Sequence, residues 1–314
     1  MLDYGVDRMR NFYSEVMLMF ISGSGSGRSV ILFMTHKWSK VIQQRFFRIQ
    51  DEMGADYDCF VLLQDDGAGC VDHWVDALVG FGGRSVLHVF CLDRLEAELG
   101  FKYFRENKIV PGSAHFPVLD FFASHDYRHY WLIEYDVEYR GSWGTFFASF
   151  DDVDADLLAS HVQTFRQSRD WCWWDSVTAP SDDIRENRMA LKAFLPIYRI
   201  SSDGLMCVRD AHLGGWRGHF EALVPSVLSF SGLRVSDFNQ IAFSYLPGGQ
   251  DIFFDPDLQS SVRAYPGVGI YEFSKRAGGH VLFHPVKDEW TYCSDGALGV
   301  SGEIVPIRLV HDWD

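Results

Sequence analysis

Val30-Ile-Leu-Phe-Met34 is apolar at every position, the pattern of a strand buried on both faces of a parallel sheet. Thr35-His36-Lys37 closes it. Between Trp38 and Met53, the residues Val41, Ile42, Phe46, Ile49 and Met53 recur at helical spacing, so a helix is expected to pack back on that strand. Cys59-Phe-Val-Leu-Leu63 repeats the buried-strand pattern and runs into Gln64-Asp65-Asp66-Gly67, and Val86 to Phe90 predicts a third strand. Strand, helix and strand in this order form a βαβ unit, which implies parallel strands and an α/β sheet flanked by helices.

The next strong strand signal runs from His129 to Tyr139. Its odd positions Trp131, Ile133, Tyr135, Val137 and Tyr139 are apolar throughout, whereas its even positions change from Tyr130 and Leu132 to Glu134, Asp136 and Glu138. Side chains alternate faces along a strand, so a regular strand would send all three carboxylates out together. A strand that begins apolar on both faces and ends acidic on one is leaving a core for a cleft. In open parallel sheets, ligands bind beyond the carboxyl ends of the strands.

Patterning is weaker in the second half. Phe146 to Phe150 predicts a strand, and Asp151-Asp-Val-Asp-Ala-Asp156 predicts the acidic start of a helix. Ile184 to Phe194 and Phe220 to Leu228 predict helices. Ile241 to Leu246, Gly269 to Phe273 and Val281 to Phe283 predict short strands between Gly-rich turns. The Ser22-Gly-Ser-Gly-Ser-Gly27 run looks like a linker, not a phosphate loop, because no Lys-Ser/Thr pair follows it. The expected organisation is an N-terminal extension over 1–29 and a single domain over 30–314.

Composition narrows the function classes. The chain has 314 residues, 47% hydrophobic and 23% charged, with a formal net charge of −15. So acidic a chain repels a phosphate backbone, and nucleic acid is not expected as a partner. No stretch reaches the ~18 apolar residues of a membrane span. The six cysteines show no CxxC spacing, which suits reduced thiols and a cytoplasmic location rather than a zinc site or disulfide framework. Gly-x-Ser-x-Gly, His-Glu-x-x-His and dinucleotide fingerprints are missing, which lowers hydrolase, zinc-protease and dehydrogenase readings.

Four groups of residues could carry chemistry. Glu134 and Asp136, two apart at a strand end, can share a hard divalent cation where the chain bends, and such a cation bridges phosphates. His219-Phe-Glu221 follows a Gly-rich loop and opens a helix; Glu221 is either a general base or a first-turn acid stabilising the helix dipole. His284 and Lys287 lie in a turn after a strand, where imidazole and ammonium could meet a diphosphate. Thr35, His36 and Lys37, with Asp65 and Asp66, end the first two strands, where a base and ribose would be read; polar loop starts are the alternative. Arg199, Ser201 and Ser202 are further candidates for the cleft.

Phe33-Met-Thr-His36, Tyr57 to Leu63, Tyr130-Trp-Leu-Ile-Glu-Tyr-Asp-Val-Glu-Tyr-Arg-Gly-Ser-Trp143, Gly218-His-Phe-Glu221 and His284-Pro-Val-Lys287 together resemble glycosyltransferases of the GT-A fold. The likeness is to a poorly characterised bacterial and fungal group, and more distantly to branching β-1,6-N-acetylglucosaminyltransferases. It implies a GT-A-like (Rossmann-like) mixed, mainly parallel sheet, with 30–140 as the nucleotide-sugar half and 141–314 as the acceptor half. It further implies a nucleoside-diphosphate sugar donor, a glycan or glycolipid acceptor and inverting transfer in surface polysaccharide synthesis, at the cytoplasmic side of a membrane. The likeness places Mn²⁺ or Mg²⁺ on Asp136 with Glu134 beside it; from their positions in the chain His284 is expected to join the metal, and Thr35, His36, Lys37, Asp65, Asp66, Glu134 and Lys287 to bind the donor. Glu221 is then the base. A metal-independent variant, with Lys287 neutralising the diphosphate, stays open because Glu-Tyr-Asp replaces the commoner Asp-x-Asp. A non-catalytic glycan- or nucleotide-sugar-binding protein of the same fold is the alternative, and a metal-dependent phosphoesterase a weaker one.

Overall fold

The computed structural model describes residues 27–36, 38–64, 87–90, 92–99, 104–105, 108–109, 112–139, 141–180, 189–238, 240, 268–269 and 282–287. In chain order the elements are β1 (Ser29–Thr35), α1 (Lys40–Met53), β2 (Asp58–Gln64), β3 (Leu87–Phe90), α2 (Leu92–Leu99), β4 (Phe104–Arg105), β5 (Lys108–Ile109), α3 (Phe116–Phe122), β6 (His129–Glu134), β7 (Glu138–Tyr139), α4 (Trp143–Ala148), β8 (Leu157–Thr164), β9 (Leu191–Ser201), α5 (Ser202–Leu213), α6 (Phe220–Phe230), β10 (Val235–Asp237), β11 (Val268–Gly269), β12 (Leu282–Phe283) and β13 (Val286–Lys287). Seven strands form the main sheet in the order β10-β8-β9-β6-β1-β2-β3. All neighbours run parallel except β9, which is antiparallel to β6 and to β8. The chain therefore has the mixed, mainly parallel sheet flanked by helices that was expected, the α/β class following from the sequence pattern.

The apolar runs follow from burial on both faces. Ile31 and Phe33 of β1 pack with Trp131 and Ile133 of β6 against Ile42, Phe46, Ile49 and Met53 of α1. Val30 and Leu32 turn the other way, into a core with Tyr130, Leu132 and residues of α3, α5 and α6. Each fully buried side chain of this size stabilises the fold by about 1.5–3 kcal/mol. Ser39 starts α1 by accepting from the Ile42 amide, and Gly54, at φ +59°, ends it.

Four expectations fail, each for a local reason. The His129–Tyr139 strand is not continuous: it stops at Glu134, turns through Tyr135 and Asp136, where the Val137 amide bonds to the Glu134 carbonyl at 3.0 Å, and resumes as β7. Glu138 accordingly leaves the acidic face and becomes buried against Arg45. Phe146 and Phe147 lie in a helix, not a strand; Ser142 caps α4 by accepting from the Thr145 amide, and its aromatics pack on Trp131. The acidic run 151–156 begins no helix, because the Asp156 carboxylate accepts from the Arg234 amide at 2.8 Å and the Ser201 hydroxyl at 2.9 Å and so leads the chain into β8. Leu191 to Phe194 open the 11-residue β9 instead of closing a helix, since both faces of this inner strand meet apolar neighbours. The expected strand at 241–246 lies outside the described residues.

Candidate active site at the carboxyl end of β6

Met34 pairs with Glu134 across β1 and β6, and Thr35 with Leu63 across β1 and β2, so these three strands end along one edge. Buried Arg45 fixes what happens there. Its guanidinium donates to Glu138 Oε1 at 2.6 Å and to the Tyr135 carbonyl at 3.0 Å, holding the turn from both sides. Arg48 donates to the Tyr139 carbonyl at 3.0 Å, so α1 clamps the chain on either side of β7. Burial raises the Glu138 pKa and the two arginines oppose that rise, which marks the pair as a structural anchor.

A segment from far along the chain completes the site. β12 pairs antiparallel with β7, placing Phe283 opposite Glu138, and the Val286 amide donates to the Asp136 carbonyl at 2.8 Å. His284, between these two anchors, is thereby delivered to the turn. Its Nε2 lies 3.1 Å from Glu134 Oε2 and 3.3 Å from Asp136 Oδ1. Burial would lower its pKa, but the Asp136 charge and hydrogen bonds to both carboxylates prevail and raise it to about 9. His284 Nδ1 has no hydrogen-bond partner among the described residues, so the carboxylates orient the ring.

Glu134, Asp136 and His284 each offer a ligand atom, and these atoms lie within 4.8 Å of one another. Two carboxylates with one imidazole suit a divalent cation such as Mn²⁺ or Mg²⁺, the nitrogen favouring the softer Mn²⁺. Asp136 is nearly sealed at 4% side-chain exposure and Glu134 is open at 24%, so any ligand approaches past Glu134.

Glu221 stands close enough for the charges of Glu134 and His284 to act on it. It lies in the first turn of α6, buried, with Oε1 accepting from the Leu195 amide at 3.3 Å. Burial is the main cause that pushes its pKa up to about 7; Glu134 adds to the rise, while the Leu195 bond, Lys192 and His284 restrain it. His219 caps the helix, its Nδ1 accepting from the Glu221 amide at 3.3 Å. Gly112, at φ +84°, passes so close over this ring that a Cβ there would strike it.

Thr35 is buried at the end of β1, and exposed His36 lies edge-on to Tyr135 at 5.1 Å between ring centroids. Lys37, Asp65 and Asp66 lie outside the described residues, as does the Lys287 side chain, whose backbone pairs with Gly269 in β11. Arg199 does not face the cleft: it is buried and donates to the carbonyls of Phe150, Val153 and Ala155. Ser201 instead caps α5, whose first residue is Ser202. Arg45 escaped the sequence reading, although its spacing of three from Ile42 and four from Ile49 sets a cation on the apolar face of α1.

No family model matches the chain, and no curated protein matches it. Among solved structures, a Bacillus anthracis protein described as a glucose-1-phosphate thymidylyltransferase, crystallised with sucrose, is similar at a TM-score of 0.37 and 10% identity. The match covers 67% of this chain and 86% of that one. A likeness at that level carries no functional weight.

Proposed function

We propose that the chain is a metal-assisted glycosyltransferase that moves a sugar from a nucleoside-diphosphate sugar to a hydroxyl of a glycan or glycolipid acceptor, with inversion, in surface polysaccharide synthesis. The observation that carries this reading is the convergence of Glu134, Asp136 and His284 at the carboxyl end of β6, beside the buried carboxyl of Glu221. Glu134, Asp136 and His284 would hold Mn²⁺ or Mg²⁺, which when bound supplies positive charge for the donor diphosphate. Glu221, with a pKa about 7, takes the proton of the acceptor hydroxyl near neutrality. The acceptor oxygen then forms a bond to the anomeric carbon, while the bond from that carbon to the diphosphate oxygen breaks and its electron pair leaves with the nucleotide. Thr35 and His36, with Lys37, Asp65 and Asp66, would read the nucleoside at the ends of β1 and β2. Lys287 would add charge at the diphosphate. No helix of the described residues is long and apolar enough to cross a membrane, and we place the reaction at the cytoplasmic face.

The test is release of nucleoside diphosphate from a panel of nucleotide sugars with Mn²⁺. One donor should be turned over by the natural chain and not by Asp136→Ala. Equal turnover by that variant, or none from any donor, removes the reading.

A further inference from the structure

We propose that Trp171, Trp173, Lys192 and His161 form a carbohydrate subsite beside Glu221, where an uncharged pyranose ring of the acceptor docks. The assignment to the acceptor rests on the transferase reading; the binding surface does not.

Three tryptophans fall within four residues at 171–174; Trp174 is buried in a small core, Trp171 packs partly exposed against it, and Trp173 stands outside it. Trp174 donates through Nε1 to the Ser168 carbonyl at 2.8 Å, anchoring the segment. The same segment is tied to α6 where the Ser176 hydroxyl accepts from the His219 amide at 3.0 Å. Trp171 and Trp173 remain half-buried on either side of this anchor. Trp173 stacks on His219 at 4.6 Å, and Trp171 meets that ring edge-on at 5.6 Å. Both indoles thus surround the residue that caps the helix bearing Glu221. The Trp173 Nε1–H is buried with no acceptor among the described residues, a donor left unsatisfied inside the protein.

Two polar groups lie alongside. Lys192 Nζ sits over the Trp171 ring at 5.3 Å, held as a cation on an aromatic face, and Glu221 is the acid that acts on it. His161 occupies a break in the β8–β9 ladder between Ser160 and Gln163, at φ 53°, where a non-glycine residue is strained. Its ring meets Phe194 at 6.2 Å, and Phe194 meets His284 at 5.6 Å. The row therefore runs from the acidic cluster to the tryptophans without leaving this end of the sheet. The indole surface left open beside His219 and Lys192 can receive a C–H face, and with an ammonium that binds hydroxyls next to it matches a pyranose better than a planar base or an apolar chain.

The probes are methyl β-D-glucopyranoside, methyl β-D-galactopyranoside and methyl N-acetyl-β-D-glucosaminide, titrated into the full chain by saturation-transfer NMR. In parallel, UDP and GDP are titrated with Mn²⁺. At least one glycoside should bind, and about tenfold more weakly in Trp173→Ala and in Lys192→Met; the lysine variant keeps the test decisive where the tryptophan variant fails to fold. Absence of glycoside binding, or binding unchanged in Lys192→Met, overturns the subsite even with diphosphate binding intact. Glycoside binding that obeys these variants while neither UDP nor GDP binds supports the subsite and counts only against a UDP- or GDP-linked donor.

Discussion

His284 and His115 are both imidazoles inside the protein whose Nε2 lies near 3 Å from a partner, at 3.1 Å from Glu134 and 2.7 Å from His212. Their surroundings drive them in opposite directions. Around His115, burial lowers the pKa well below 6.5, and His212 and His219 lower it further. His212 falls to about 4, chiefly through burial. The Trp216 carbonyl, 3.1 Å from His212 Nδ1, can only accept, so His212 carries its proton there. Its Nε2 then accepts from His115 Nε2–H, and the pair is neutral. At the end of β6 the same burial is overridden by two carboxylates. One region joins the start of α3 to α5 through a neutral histidine pair; the other sets two carboxylates around one imidazole that they favour in its charged form. Accumulated acid costs stability, and such a cost is retained where chemistry needs it.

Four substitutions or conditions separate the two regions. The largest effect belongs to the acidic one: Glu221→Gln should slow sugar transfer by about 10²–10⁴-fold while the melting temperature stays near that of the natural chain. Arg45→Met should come next. It leaves Glu138 buried without its partner, so denaturant unfolding should show a loss of about 3–5 kcal/mol, and Mn²⁺ should no longer raise the melting temperature because the Tyr135–Asp136 turn loses its clamp. His212→Ala leaves the His115 donor unsatisfied and should cost about 1–3 kcal/mol, yet Mn²⁺ should stabilise this variant as it does the natural chain. Loss of the Mn²⁺ response there would erase the distinction.

The smallest effect is a pH effect. The folded-state pKa of His212 lies below its unfolded value of 6.5, so its contribution is complete above that pH and is lost as pH falls toward about 4. Over the first pH unit below 6.5 the loss through this residue is about 1 kcal/mol, read from denaturation midpoints. His115 moves in the same direction.

The frame of the sheet was legible because β1, β2 and β6 are buried on both faces and therefore leave unbroken apolar runs. Glu134 and Asp136 were legible for the converse reason: acids at the end of such a run are costly unless used. The turn between them was not, since it depends on Arg45, 90 residues before Tyr135. The Phe146-Phe147 pair read as strand because large aromatics are common in strands, and the cap at Ser142 that makes α4 a helix is a single hydroxyl. His284 carried no local signal strong enough to join it to Glu134, 150 residues earlier; β12 pairing with β7 does that. Trp171, Lys192 and His161 are scattered in sequence and are brought together only by β8, β9 and the segment between them.

Whether the end of β6 is a cation-dependent diphosphate site is decided by thermal shift with nucleoside diphosphates, each with and without Mn²⁺, on the natural chain and on Asp136→Asn. At least one diphosphate should raise the melting temperature of the natural chain only when Mn²⁺ is present, and that rise should vanish in Asp136→Asn. A shift of equal size in the variant, or none with any diphosphate, would mean that no such site lies there.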